Sequence, residues 1–281
     1  MNLKKFLKAA VCGAMIAALA VTAGCGDSDK KAEGKKVLKV GMECAYAPYN
    51  WSQTSAEGGA VKIEGTSEYA YGYDVIIAKK LADSMGAELQ IQKIEWDGLA
   101  PAVVSGKIDA AIAGMSITSK RKETVDFTKP YYYANVVALV KKDSPQAQAK
   151  SVEDLRGSVA TSQLNTIWYD QIDQVPEVTK LPAIDTVPGM VVALKSGKCN
   201  LIVTDIPTAK AAAYANPELV MVTFPEDKGF KTSREDVEIG IAVQKGNKEL
   251  LDAMNKVLGG MTEADFNKIM DEAIQKQPLV K

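Results

Sequence analysis

The chain has 281 residues, 47% hydrophobic and 25% charged, which is the composition of a globular protein with enough length for one large domain or two ordinary ones. Its 34 basic residues stand against 35 acidic ones for a net charge of −1, so no basic excess exists to grip a phosphate backbone, which argues against nucleic acid as a partner. The sequence contains no His, which rules out Ser-His-Asp triads, Cys-His pairs, His-ligated zinc and the HExxH helix, and tilts the reading from catalysis toward binding.

In chain order, residues 1–24 come first. Lys4, Lys5 and Lys8 precede an uncharged, Ala- and Val-rich run over 9–24 that is too short for a comfortable membrane span of about 20 residues. A basic start and a short apolar run read as a secretory signal. The run ends in Thr22-Ala23-Gly24-Cys25, which resembles a bacterial lipobox with Thr22 in place of the usual Leu. That resemblance implies a lipid on Cys25, with an ordinary signal cut nearby as the alternative. Residues 25–35, polar and rich in Lys and Gly, read as a tether. No later apolar run is long enough to predict a transmembrane helix. Cys44 and Cys199 lack any motif spacing, so a disulfide between them stays open, and two isolated Cys without His make a poor metal site.

The body alternates strand and helix. VLKVGM at 37–42 predicts a strand, and the Gly-rich polar stretch 53–67 a surface loop with no assigned role. Helical spacing over 73–85 ends at Gly86, and Asp74 in Gly72-Tyr73-Asp74 reads as the cap of that helix. A half-buried strand follows at 88–94, a short helix at 98–105 and a buried strand at 109–115. In the second half, 151–154 has a capping-box pattern, 158–162 and 201–204 read as strands, and 166–174, 189–195 and 207–214 as helices. The last stretch gives helices at 248–254 and 264–274, with a capping box at Thr262 to Asp265. This alternation predicts an α/β fold with mostly parallel sheets.

The two halves echo each other. Ser105-Gly106-Lys107 precedes a strand that runs into Gly114-Met115-Ser116, and Ser196-Gly197-Lys198 precedes a strand that runs into Thr204-Asp205. Each half thus brings a polar cluster to a strand's carboxyl end, where open α/β sheets bind ligands. The expectation is two similar lobes with a cleft between them.

The stretch WDGLAPAVVSGKIDAAIAGMSITSKRKETVDFTKPYY, with the opening GMECAYAPYNW and Gly72-Tyr73-Asp74, resembles the bacterial extracytoplasmic solute-binding proteins of the polar amino-acid uptake class. These are receptors of ABC importers, and the likeness covers roughly 37–276. It implies a two-lobed, type II periplasmic-binding-protein-like fold with mixed, mostly parallel sheets, hinged by two crossing strands near 132–136 and 236–242. Lobe 1 would take 36–133 and 241–281, and lobe 2 would take 134–240. The same resemblance implies a monomer that is lipid-anchored outside the cell, closes on a free amino acid, and delivers it to a membrane permease without cofactor, metal or catalytic step. A sensor feeding a separate signalling protein, or a dehydratase-like enzyme on the same scaffold, remain the alternatives.

By resemblance, Arg121 takes the ligand carboxylate in a planar fork, beside the Gly114 backbone and Ser116. Asn165 and Thr166 offer a helix N-terminus, although the family's Gly-Thr-Thr is Leu164-Asn165-Thr166 here. Asp205 takes the ammonium, and Tyr46 and Trp96 wall the ligand's stem. Glu43 is then left over for the ligand side chain. A carboxylate in a desolvated cleft calls for a donor or a cation, which favours a basic amino acid, then an amide.

Overall fold

The computed structural model describes residues 36–278. The signal segment 1–24, the lipid site at Cys25 and the tether 25–35 lie outside the described residues.

Two five-stranded sheets organise the chain. In the first, Val37–Met42 lies between Glu88–Lys93 and Ala110–Ala111, all parallel. Ala242–Gln244 then pairs antiparallel with both Ala110–Ala111 and the edge strand Val125–Phe127. In the second, Val159–Thr161 lies parallel between Thr179–Lys180 and Leu201–Asp205. Val136–Lys141 pairs antiparallel with Leu201–Asp205 and with the edge strand Leu219–Val222. The central strands are apolar runs because both faces are covered: all five residues of Leu201–Asp205 are buried. Between the sheets the chain crosses twice, and the crossings pair with each other, Tyr132–Tyr133 against Glu238–Ile239.

Helices begin and end where the local chemistry directs. Tyr73–Ser84 buries Tyr73, Ile77 and Leu81 and packs against the C-terminal helices Lys248–Leu258 and Glu263–Lys276. Thr262 and Asp265 form a complete reciprocal capping box. At 151–154 only half of the box forms: Ser151 Oγ accepts the Asp154 N–H, while the Asp154 carboxylate takes the Lys150 N–H. Gly106 and Gly197, the central residues of the two Ser-Gly-Lys turns, both adopt left-handed φ, at 72° and 78°. Each ends the helix before a sheet's third parallel strand, so the sequence echo is a structural repeat.

Four expectations are corrected. Stretch 53–67 is no plain loop: Val61–Lys62 joins a four-stranded sheet with Ala45–Tyr46, Asn50–Gln53 and Tyr69–Tyr71. The cause is Ile63, fully buried and bridged to Ile91, an apolar anchor hidden by its polar neighbours. The strand expected over 109–115 shrinks to Ala110–Ala111, because after the Ile112 N–H bonds Gly41 the chain turns at Gly114, φ 61°, and Ser116 bridges instead to Ile239. Over 166–174 the helix is α only for Ile167–Gln171 and tightens to 3-10 for Ile172–Gln174. Asp74 does not cap its helix, which starts from Gly72 with no side-chain cap; its carboxylate turns inward to Asn50 and Tyr131. Cys44 and Cys199 are both free, buried thiols. Among the described residues no helix is long and apolar enough to cross a membrane.

Candidate functional site

Six of the nine residues expected at the site line one cavity. Tyr46, Trp96, Gly114, Ser116, Arg121 and Thr166 line one small, nearly closed pocket, together with Gln163 and Trp168. Glu43, Asn165 and Asp205 adjoin it through hydrogen bonds.

The first sheet supplies one wall. Tyr46 packs flat on Tyr49, ring centroids 4.7 Å apart, and lies against Gly114 so closely that a Cβ there would sit 2.7 Å from the Tyr46 ring. Only glycine fits that turn, on space and on its positive φ. Arg121 is held from three directions. Thr118 caps its four-residue helix by accepting the Arg121 N–H. The guanidinium lies over the Trp96 ring, 5.1 Å from the centroid. Its Nη1 donates to the Ser116 carbonyl at 2.9 Å and its Nη2 to the Asn165 carbonyl of the second sheet's layer at 3.0 Å. Glu43 follows the first strand and is 2% exposed.

The second sheet supplies the facing wall. Asp205 ends its strand and N-caps helix Ile206–Ala215, Oδ1 accepting the Thr208 N–H at 2.7 Å. Its Oδ2 accepts the Tyr46 hydroxyl at 2.7 Å, so cap and site are two edges of one carboxylate. Asn165, one position past the Leu164 that replaces the family's Gly, takes a left-handed φ of 54°, a conformation that Asn is among the few non-glycine residues to tolerate. Its Nδ2 donates to Asp97 at 2.8 Å. Thr166 starts helix Ile167–Gln171 and donates its hydroxyl to the Gln163 carbonyl rather than capping with it.

Electrostatically the cavity is unbalanced. Arg121 bonds to two carbonyls and to no carboxylate among the described residues. Burial lowers its pKa to about 10, still charged at neutral pH. Asp205 bonds to an N–H and a hydroxyl, and burial pushes its pKa up. Glu43 accepts Gln163 Nε2 at 3.1 Å through Oε2, while its buried Oε1 has no partner among the described residues. Burial raises its pKa to about 7; the Gln163 bond opposes the shift and the nearby Glu95 adds to it. Buried charges are costly when their partners are neutral, so each of the three calls for an opposite charge. Beside Trp96 a further cavity is lined by Glu95, Asp97 and Asp185 with Leu164, three carboxylates with no cation among its lining residues. Among the described residues no group of three or more His, Cys, Asp or Glu could hold a metal.

Gln163, Asp97 and Trp168 escaped the sequence reading. Gln163 had a usable signal, since it follows the strand that mirrors the one ending before Glu43. Asp97 and Trp168 had none beyond adjacency to Trp96 and Thr166.

A family model described as bacterial extracellular solute-binding proteins, family 3, matches residues 38–276. A probable histidine-binding protein of Campylobacter jejuni is 31% identical over 281 residues, covering 99% of this chain and 100% of that protein. ABC transporter arginine-binding protein 1 of Escherichia coli is 31% identical over 210 residues, covering 74% of this chain and 83% of that one. The solved structure of an ancestral arginine-binding protein bound to arginine gives a TM-score of 0.67 at 33% identity, covering 85% of this chain and 98% of that one.

Proposed function

This chain belongs to the bacterial extracellular solute-binding proteins of family 3, and from that membership we propose that it is the amino-acid receptor of an ABC importer, with a basic amino acid as its preferred ligand. One observation carries the reading: three ionisable groups, Arg121 in the cavity lining and Asp205 and Glu43 behind it, joined to its lining residues Tyr46 and Gln163, are bonded only to neutral partners. A free amino acid with a cationic side chain supplies all three counter-charges. Its carboxylate meets Arg121, its ammonium Asp205, and its side-chain cation Glu43. Trp96 and Tyr46 flank the aliphatic stem. A neutral amide side chain would satisfy the Glu43 acceptor by a hydrogen bond alone, which ranks glutamine after the basic ligands.

In this reading residues 36–133 with 241–281 move as one lobe and 134–240 as the other, bending at the paired crossings Tyr132–Tyr133 and Glu238–Ile239. The contacts Tyr46–Asp205, Glu43–Gln163, Arg121–Asn165 and Asn165–Asp97 join the two sides and support a closing cleft. Capture and delivery require no chemical step, so the protein acts as a receptor and not as an enzyme, with a membrane permease as its partner. Cys25 is the proposed lipid attachment, holding a monomer at the outer face of the cell membrane.

A thermal-shift screen of the mature protein against the common amino acids tests the assignment. A ligand at 100 times its Kd adds about 2.7 kcal/mol of stability. Arg, Lys or His should give the largest shift, with Gln next. Glu, Asp or an aliphatic amino acid at the top would overturn the charge argument.

A further inference from the structure

Asp74 is fully buried, lies outside the cavity, and is not a helix cap. Its carboxylate sits at the centre of a branched hydrogen-bond network. Oδ1 accepts the Tyr131 hydroxyl at 2.6 Å, and that hydroxyl oxygen accepts the Gly114 N–H at 3.1 Å. Oδ2 accepts Asn50 Nδ2 at 2.7 Å, and Asn50 Oδ1 accepts the Cys44 N–H at 2.7 Å. Both branches therefore end on backbone N–H groups, and both of those residues have left-handed backbones, Cys44 at φ 56° and Gly114 at φ 61°. Cys44 directly follows Glu43. Gly114 lines the cavity two residues before Ser116, whose carbonyl holds Arg121.

The geometry points to Asp74 as a positioning residue that sets two separate parts of the site, the Glu43 turn through Asn50 and the Gly114–Ser116 turn through Tyr131. No cation pairs with Asp74 among the described residues. Burial raises its pKa to about 6, with the Tyr131, Asn50 and Gly114 bonds opposing the shift. A buried anion is destabilising in isolation, and it suits a place where strongly accepting oxygens must orient two donors at once. A left-handed non-glycine residue such as Cys44 persists only where its surroundings over-determine it. Tyr131 is itself fixed by stacking on Tyr73, ring centroids 5.6 Å apart. Loss of a partner that orients a ligand-holding group weakens binding about 10- to 100-fold in the better-studied metal sites.

This inference rests on the proposed amino-acid site, and it separates the two branches by ligand. We would titrate L-arginine and L-glutamine into the parent and into Tyr131→Phe, Asn50→Ala and Asp74→Asn, by calorimetry at pH 8. Tyr131→Phe disturbs the clamp on the common amino-acid moiety, so both affinities should fall by about the same factor, on the order of tenfold. Asn50→Ala disturbs the Glu43 turn, so arginine should lose about tenfold and glutamine clearly less. Asp74→Asn should show both losses. A merely structural role would leave the arginine-to-glutamine ratio the same in all variants, and that result would overturn the proposal. Unchanged affinities in Tyr131→Phe and Asn50→Ala would overturn it as well. The two single-branch variants keep the test decisive if Asp74→Asn does not fold. Arg121→Ala run in parallel identifies the other failure: undiminished binding there would refute the site itself, and with it the role of Asp74.

Discussion

The two sheets have one topology and opposite chemistry. Each places its first parallel strand, Val37–Met42 or Val159–Thr161, between two parallel neighbours, with an antiparallel strand and an edge strand beyond. In each, a helix ended by a left-handed glycine leads into the third parallel strand. Beyond that strand the first sheet carries Arg121, and the second ends on Asp205. After the first strands stand Glu43 on one side and Gln163 on the other, and these matched positions bond to each other. Topology thus fixes where polar side chains gather, because strand ends converge there and helix termini leave N–H groups free. It says nothing about sign. The placing of a cation on one side and an anion on the other is a property of single residues.

The comparison can be broken first at its cation. Arg121→Ala should abolish measurable amino-acid binding, a loss of about 2–5 kcal/mol, since a desolvated carboxylate is left unpaired. Its melting temperature should stay close to the parent's, because the guanidinium bonds only to two backbone carbonyls and no carboxylate depends on it. Calorimetry with a parallel thermal melt checks both.

Breaking the opposing anion should cost less. Asp205→Asn keeps a good N-cap for the helix at 206–215 but loses the charged contact to the ammonium, about 1.5–3 kcal/mol of affinity. Small-angle scattering at saturating ligand should show less compaction than the parent. Equal compaction at equal affinity would remove Asp205 from the site.

The Glu43 and Gln163 pair can be sharpened by pH. With the Glu43 carboxyl near 7 in the ligand-free cleft, it takes up a proton as the pH falls through 7. A cationic ligand favours the ionised form, so its bound pKa is lower and binding weakens on acidification. Arginine affinity should fall by up to about tenfold per pH unit below 7. Glutamine affinity should change little over the same window, and Glu43→Gln should remove the excess pH dependence for arginine. Identical pH profiles in parent and variant would take Glu43 away from the ligand side chain.

The smallest effect concerns the turn at Asn165. Asn165→Ala must hold a left-handed backbone without help from the side chain, at about 1–2 kcal/mol, whereas Asn165→Gly relieves that strain and loses only the bond to Asp97. The Ala variant should melt below the Gly variant. The reverse order would contradict the role of the turn.

Much of this arrangement was legible in the sequence, for physical reasons. Apolar runs such as Leu201–Asp205 and the helical spacing of 73–85 reported their own burial, and the repeated Ser-Gly-Lys marked matching helix ends. Arg121 and Asp205 were named through the resemblance to the family's motif, not through any local pattern, and the structure sets them on facing sides, with Arg121 in the short helix Ser119–Lys122 and Asp205 at the end of its strand. Ile63 was not, since a single anchor in a polar stretch makes no period. Asp74 misled for a different reason. An acidic residue at a helix start fits a cap on local grounds, while its true partners, Asn50 and Tyr131, lie 24 and 57 residues away. Gln163 carried a positional signal, since it follows the strand mirroring the one before Glu43, but its amide gains meaning only against the carboxylate it bonds.

The central claim is that three charges lacking counter-charges select a zwitterion with a cationic side chain. The most direct test is calorimetry of the parent protein at pH 8 with L-arginine and with L-citrulline, which keeps the length and shape of arginine but carries no side-chain charge. Arginine should bind at least tenfold more tightly, the factor expected from about 1.4 kcal/mol or more for a charged hydrogen bond. Citrulline binding as tightly as arginine would contradict the account.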